Sequence, residues 1–166
     1  DVYKRQHFTR INKYVRIPYL DKFEGGCEAL KLTQEIDYAF RIIAHLAAHE
    51  GQVVGAPIIA ETMGIPSRFT LRILRKLNLG GLTKSRRGAK GGYILNRPAE
   101  SISLYDIILA IDGPIELNRC LHSNDPYCNR FNTKQIAGCK FHQSIHGLQN
   151  DVINQLENMK ITDSVS

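Results

Sequence analysis

Apolar positions recur at helical spacing from residue 33 onward, whereas residues 1–23 mix basic and aromatic side chains with no sustained period. Thr33 is placed to cap a first helix, Glu35 suits its first turn, and Ile36, Phe40, Ile43 and Leu46 or Ala47 form one apolar face. Gly51 ends that helix. Pro57 opens a short second helix to about Met63, with Ile58, Ile59 and Met63 expected inward, and Gly64 supplies the turn after it. A third helix over 67–79 carries Arg68, Arg72, Arg75 and Lys76 on one side and Ile73, Leu74 and Leu77 on the other. Gly80-Gly81 stops it. Residues 82–86 and 93–95 then read as two short strands joined by a basic, glycine-rich turn.

Beyond Pro98, Ser103 with Asp106 three residues later has the form of a capping box, and Leu104, Ile107, Ile108 and Ile111 make the apolar face of a fourth helix. Gly113-Pro114 ends it. Residues 116–138 are polar and irregular, as expected of a loop that wraps a ligand. A last helix is expected over 140–160, where Ile145, Leu148, Val152, Leu156 and Met159 recur at spacings of three and four. Such a stripe packs on a partner helix, so these five are the candidate dimerisation residues. The fold class is therefore mainly α with a small β-hairpin: a winged helix-turn-helix followed by a long C-terminal dimerisation helix.

Three regions follow. Residues 1–29 read as a non-native or disordered leader, 30–100 as the winged helix-turn-helix, and 101–166 as the cysteine loop and dimerisation helix. The first methionine, Met63, lies inside a predicted helix, and Glu24-Gly25-Gly26 can be encoded by purine-rich triplets that spell a ribosome-binding site. Native translation is accordingly expected to begin at Leu30, read from a UUG codon.

The charge pattern sharpens this picture. The net charge is +6, but nine of the lysines and arginines fall between residues 65 and 100, where Glu100 is the only acid. These bases are interleaved with Leu71, Ile73, Leu74, Leu77 and Leu82, so they belong to folded structure. A basic face on a folded unit is the footprint of a nucleic-acid binder. In a helix-turn-helix the second helix enters the major groove while backbone contacts fix its register. The candidate DNA-binding residues are Ser67, Arg68, Arg72, Arg75 and Lys76 in the third helix. Lys84, Arg86, Arg87, Lys90, Gly91, Gly92 and Tyr93 are the candidates in the hairpin, where Gly91-Gly92 would let the backbone approach a phosphate. The turn lacks the spacing of a nucleotide-binding loop.

Cys120, Cys128 and Cys139 are followed by His142, with seven, ten and two residues between them. Three thiolates and an imidazole suit an iron–sulfur cluster or zinc, and the alternative is a cluster-free or zinc-bound regulator controlled by thiol oxidation or by a protein or small-molecule effector. Cys27 lies in the leader and is no candidate; His122 and His146 are read as surface residues. No nucleophile and base stand at a recognisable spacing, and no cofactor-binding glycine motif follows a strand, so an enzyme is not expected. No apolar run is long enough to cross a bilayer and no secretory signal is recognisable, which places the chain in the cytoplasm.

Residues 30–166 resemble the winged-helix regulator family that includes the nitric-oxide sensor NsrR and the cluster-biogenesis regulator IscR. The resemblance is carried by Asp37-Tyr38-Ala39, Ile59-Ala60-Glu61, Gly64-Ile65, Leu74-Arg75-Lys76-Leu77, Arg87 to Tyr93, and Ala110-Ile111-Asp112-Gly113. It implies a homodimer on double-stranded operator DNA of two-fold symmetry. It also implies an iron–sulfur cluster, two-iron or four-iron, on the three cysteines. The fourth ligand it implies is His142, as in IscR-like members, or Asp37 given from the other subunit, as in NsrR-like members; His142 ranks first. The cysteine spacing here is longer and less even than the family's. The implied mechanism is sensing, in which a change at the cluster alters the separation of two recognition helices, driven by different affinities of the two states for DNA.

Overall fold

The computed structural model describes residues 32–88, 90–121, 128 and 136–164. The expected leader, the start at Leu30, His122 and Cys27 lie outside them. All described residues fall in one of the chain's two units, Leu32–Ser166.

Helix α1 (Gln34–Ala48) starts at Thr33, whose Oγ1 accepts the Ile36 N–H at 3.3 Å. Its buried side is broader than the periodicity implied: Ile36, Ala39, Ile42, Ile43 and Leu46 are buried, with Phe40 and Ala47 half-buried beside them. Helix α2 (Ala56–Met63) has proline in its first turn and ends at Gly64 in the left-handed conformation, φ 63°. Ile59 and Ala60 are its buried residues. Ile58, expected inward, is exposed, because an eight-residue helix buries a single narrow face and Ile58 lies opposite that of Ile59, Ala60 and Met63. Helix α3 (Ser67–Leu79) buries Thr70, Ile73, Leu74 and Leu77.

Strands β1 (Thr83–Arg86) and β2 (Gly92–Leu95) form an antiparallel hairpin in the register Thr83 to Leu95 and Arg86 to Gly92. The hairpin is rooted in the rest of the fold by a third backbone segment. Val54 and Tyr93 exchange both N–H···O bonds, at 3.0 and 2.9 Å.

Helix α4 (Leu104–Ile111) begins with the complete capping box of Ser103 and Asp106. It inserts Ile107, Ile108 and Ile111 between α1 and α3, so one apolar core runs from Ile36 through Leu82 and Ile102 to Ile161. The core thus crosses residue 100. Helix α5 (Lys140–Asn158) is shorter than expected by two residues, and Met159 caps it from outside. None of its residues is buried. The chain nevertheless returns to the core after it: Leu104 N–H donates to Met159 O and Ile161 N–H to Ile102 O, both at 3.0 Å, and Ile161 is buried. No described helix is long and apolar enough to cross a membrane.

Candidate nucleic-acid interface and cysteine region

The outer side of α3 divides into two faces. On one, Glu35 of α1 accepts from Arg72 Nε and from Lys76 Nζ, each at 3.1 Å, and the Lys76 ammonium also donates to the Ile111 carbonyl at 2.8 Å. Lys76 is therefore turned toward α1 and the end of α4, away from the outward basic face on which its helical position had placed it. On the other, Arg68 and Arg75 are exposed and meet no acid within salt-bridge distance among the described residues. Arg68 and Arg72 lie over the Phe69 ring, 4.9 and 5.0 Å from its centroid, which steadies both guanidiniums at the start of the helix.

The hairpin adds exposed Lys84, Arg86, Arg87 and Lys90. Arg97, at its base, pairs with Asp106 at 2.8 Å and is not part of this set. The glycines have a structural reason that the sequence did not disclose. A Cβ on Gly92 would collide with the Val54 carbonyl, and one on Gly91 would come 2.6 Å from the Arg86 oxygen. Both positions are thus demanded by close approach of the protein's own backbone. The positive φ of the turn falls instead on Gly88, at 114°. Tyr93 is half-buried against the core while its backbone holds Val54. Sequence spacing could not have found Val54, since it lies 39 residues from its partner and carries no polar side chain.

In the cysteine region, Cys120 lies in a 3₁₀ turn, Arg119–Leu121, and its N–H donates to Asn118 Oδ1 at 3.3 Å. Cys139 is the N-cap of α5, and its carbonyl accepts the Gln143 N–H at 3.0 Å. The turn that carries Cys120 and the 3₁₀ turn Ile136–Gly138 just before Cys139 both pack on α5. Leu117 adds a tie, its N–H donating to Gln149 Oε1 at 3.0 Å. Cys120, Cys128 and Cys139 are half-buried and not joined in disulfides. His142 follows Cys139 within the first turn, and its Nδ1 is buried with no hydrogen-bond partner among the described residues. Asp37, by contrast, is exposed and ion-paired with Arg41 at 2.8 Å. Among the described residues no three of His, Cys, Asp or Glu converge on a metal-sized site. The expected ligand set is therefore not gathered as a whole; only Cys139 and His142 are neighbours along one turn.

Known proteins share this architecture. CymR, the global cysteine regulator of B. subtilis, superposes with a TM-score of 0.63 at 25% identity, covering 82% of this chain and 97% of that one. IscR of T. potens gives 0.59 at 26% identity, over 84% and 89%. In sequence, an HTH-type transcriptional regulator of Mycobacterium tuberculosis is 38% identical over 100 residues, 59% of this chain and 62% of its own length. The chain thus spans less than two thirds of that relative. The protein aau3 of Rhizobium meliloti is 26% identical over 136 residues, 82% of this chain and 85% of its own. The family model described as Rrf2, iron-dependent transcriptional regulator, matches residues 32–166, and the chain belongs to the Rrf2 family of transcription regulators.

Proposed function

We propose that the chain is one subunit of a cytoplasmic, homodimeric regulator, not an enzyme, that binds a two-fold operator duplex. Contacts come from Ser67, Arg68 and Arg75 of α3 and from Lys84, Arg86, Arg87 and Lys90 of the hairpin. The observation that carries the reading is that Arg68, Arg75 and the four bases of the hairpin are exposed and meet no acid within salt-bridge distance among the described residues, on a fold whose relatives are transcription regulators. Arg72 and Lys76 are left out because Glu35 holds both, and the Lys76 ammonium donates to the Ile111 carbonyl as well. Gly91, Gly92 and Tyr93 act as supports that hold the hairpin in place. Ile145 and Leu148 on α5, with Val152, Leu156 and Met159 toward its end, form the contact with the second subunit, since a helix with no buried residue needs another surface.

The same regulator senses through an iron–sulfur cluster on Cys120, Cys128 and Cys139. His142 is the fourth ligand in preference to Asp37. Its support is the buried Nδ1, three residues after Cys139, with no hydrogen-bond partner among the described residues, whereas the Asp37 carboxylate is engaged by Arg41. A bound cluster supplies a redox-responsive tie between residues 120–139 and α5; the protein's own part is to hold Cys139 and His142 on one turn of that helix. A second reading, thiol sensing without a cluster or with zinc, is supported by the lack of convergence among the described ligands and by the similarity to CymR.

Anaerobic purification followed by absorbance spectroscopy and iron, sulfide and zinc analysis tests both. The cluster reading expects coloured protein, bleached by each Cys→Ala change, with His142→Ala perturbing the spectrum and Asp37→Ala leaving it unchanged. Colourless protein that binds its duplex, and releases it on thiol oxidation, supports the second reading and rejects the first.

A further inference from the structure

The most exposed apolar side chain in the first half of α3 is Leu71, 52% exposed and the fifth residue of a thirteen-residue helix. It contributes nothing to the core, which Thr70, Ile73, Leu74 and Leu77 fill from the opposite side. Leu71 stands three residues after Arg68 and four before Arg75, so the three share a face. That is the face Glu35 does not hold: Arg72 and Lys76, on the neighbouring side, are drawn toward α1. An aliphatic group between two guanidiniums that meet no acid among the described residues suits a surface that is strongly anionic yet offers an apolar spot. The major groove of a duplex is such a surface, and its exposed apolar group is the C5-methyl of thymine. Leu79 is more exposed still, but it ends the helix, whereas the N-terminal residues of a reading helix are those that reach base edges.

We propose that Leu71 is a specificity-determining residue that packs on the C5-methyl group of a thymine in each operator half-site, between phosphate or base contacts of Arg68 and Arg75. The proposal rests on the operator-binding reading of α3. Ser67, one turn before Leu71, lies on the same edge of the helix and frames the contact toward the helix start.

The test begins with selection of bound duplexes from a random pool by the full chain, followed by affinity measurements on the selected site. Each thymine in a half-site is replaced in turn by deoxyuridine, which lacks only the methyl group. One such replacement is expected to weaken binding about fourfold per half-site, the effect of withdrawing one methyl-sized group from an apolar contact. Leu71→Ala is expected to abolish that thymine-to-uracil ratio while leaving the salt dependence unchanged, and Leu71→Met to retain it. Both variants place a good helix former at one exposed helix position, so folding is preserved. A selected duplex insensitive to deoxyuridine at every position overturns the assignment, as does a ratio that Leu71→Ala leaves intact. A pool that yields no enriched duplex overturns the operator reading itself, and the assignment with it.

Discussion

Glu35 and Lys76 meet at 3.1 Å across the α1–α3 contact, and the same ammonium donates to the carbonyl of Ile111 at the end of α4. Three helices are thereby joined at one nitrogen. Beside it, the Thr33 hydroxyl donates to Asp112 Oδ2 at 2.9 Å, so the start of α1 is fastened to the residue from which the chain departs toward its cysteines. The carboxylate that holds Lys76 also restrains Arg72, a side chain that would otherwise be available to a phosphate.

Glu35→Gln therefore has two expected effects of opposite kind. Thermal stability falls by about 1 kcal/mol or less, because Arg72 is well exposed and the pair is screened by solvent. Affinity for nonspecific duplex rises and the salt slope steepens by up to about one unit, as Arg72 gains a phosphate. Urea melts and binding measured across a salt series read the two separately; a slope unchanged by the substitution rejects the restraint on Arg72.

Gly92→Ala is expected to destabilise the fold by about 1–3 kcal/mol, since the added methyl must push β2 away from the Val54 carbonyl. Amide exchange at Val54 and Tyr93, which bond each other and are expected to exchange slowly in the parent, should accelerate. Protection that survives the substitution would show that the hairpin root yields at no cost.

Asp106 sets an acid limit on stability. Burial works against its charge, but the Ser103 N–H, the Arg97 guanidinium and the Ser103 hydroxyl outweigh it and hold the carboxyl below the usual carboxylate range. Its folded pKa is thus lower than its unfolded one. The stabilisation is complete above the ordinary value of 3.8 and is lost as the pH falls through the lower folded value. Asp106→Asn should cost about 1 kcal/mol at neutral pH, the usual worth of a cap, and flatten the stability profile in that acid window. Denaturation at a series of pH values provides the check.

Two leucines of α5 should behave differently. Leu148 is 52% exposed, whereas Leu156 already packs against the core of its own chain. Leu148→Ala is expected to weaken self-association at least tenfold with little change in the melting of dilute protein. Leu156→Ala should lower stability as well, by about 1–3 kcal/mol for a partly buried leucine. Sedimentation over a concentration series separates them, and a Leu148→Ala chain that dimerises as tightly as its parent rejects the α5 contact.

Elements governed by local chemistry were legible in the sequence. The Thr33 cap, the Ser103–Asp106 box and the span 67–79 of α3 need only neighbouring residues to specify them, and each stands where the pattern put it. Contacts that depend on distant partners were not. Helical spacing put Lys76 with the outward bases, because nothing local indicates that Glu35, 41 residues away, will draw it aside. Ile58 read as inward because an apolar residue in a short helix says nothing of how narrow the packed face is. The glycines of the hairpin were recognisable as special, but their cause lies in the Val54 backbone, which periodicity does not mark. In the cysteine region the donor types were evident from composition, while their convergence depends on chain path and not on spacing.

The return of the chain to the core at Ile161 gives α5 a fixed end. Its nineteen residues make a rod about 28 Å long, anchored by backbone bonds at Met159 and Ile161 and carrying Cys139 at the far tip. On a rod of that length a tilt of about 5° about the anchored end would displace the tip by about 2 Å. The anchored end is bonded to Ile102 and Leu104, the residues that lead into α4, whose last carbonyl meets Lys76. The order of the chain thus sets the Cys139 thiol at the end of the rod farthest from the bonds that run through α4 to α3, where a given rotation gives the largest displacement.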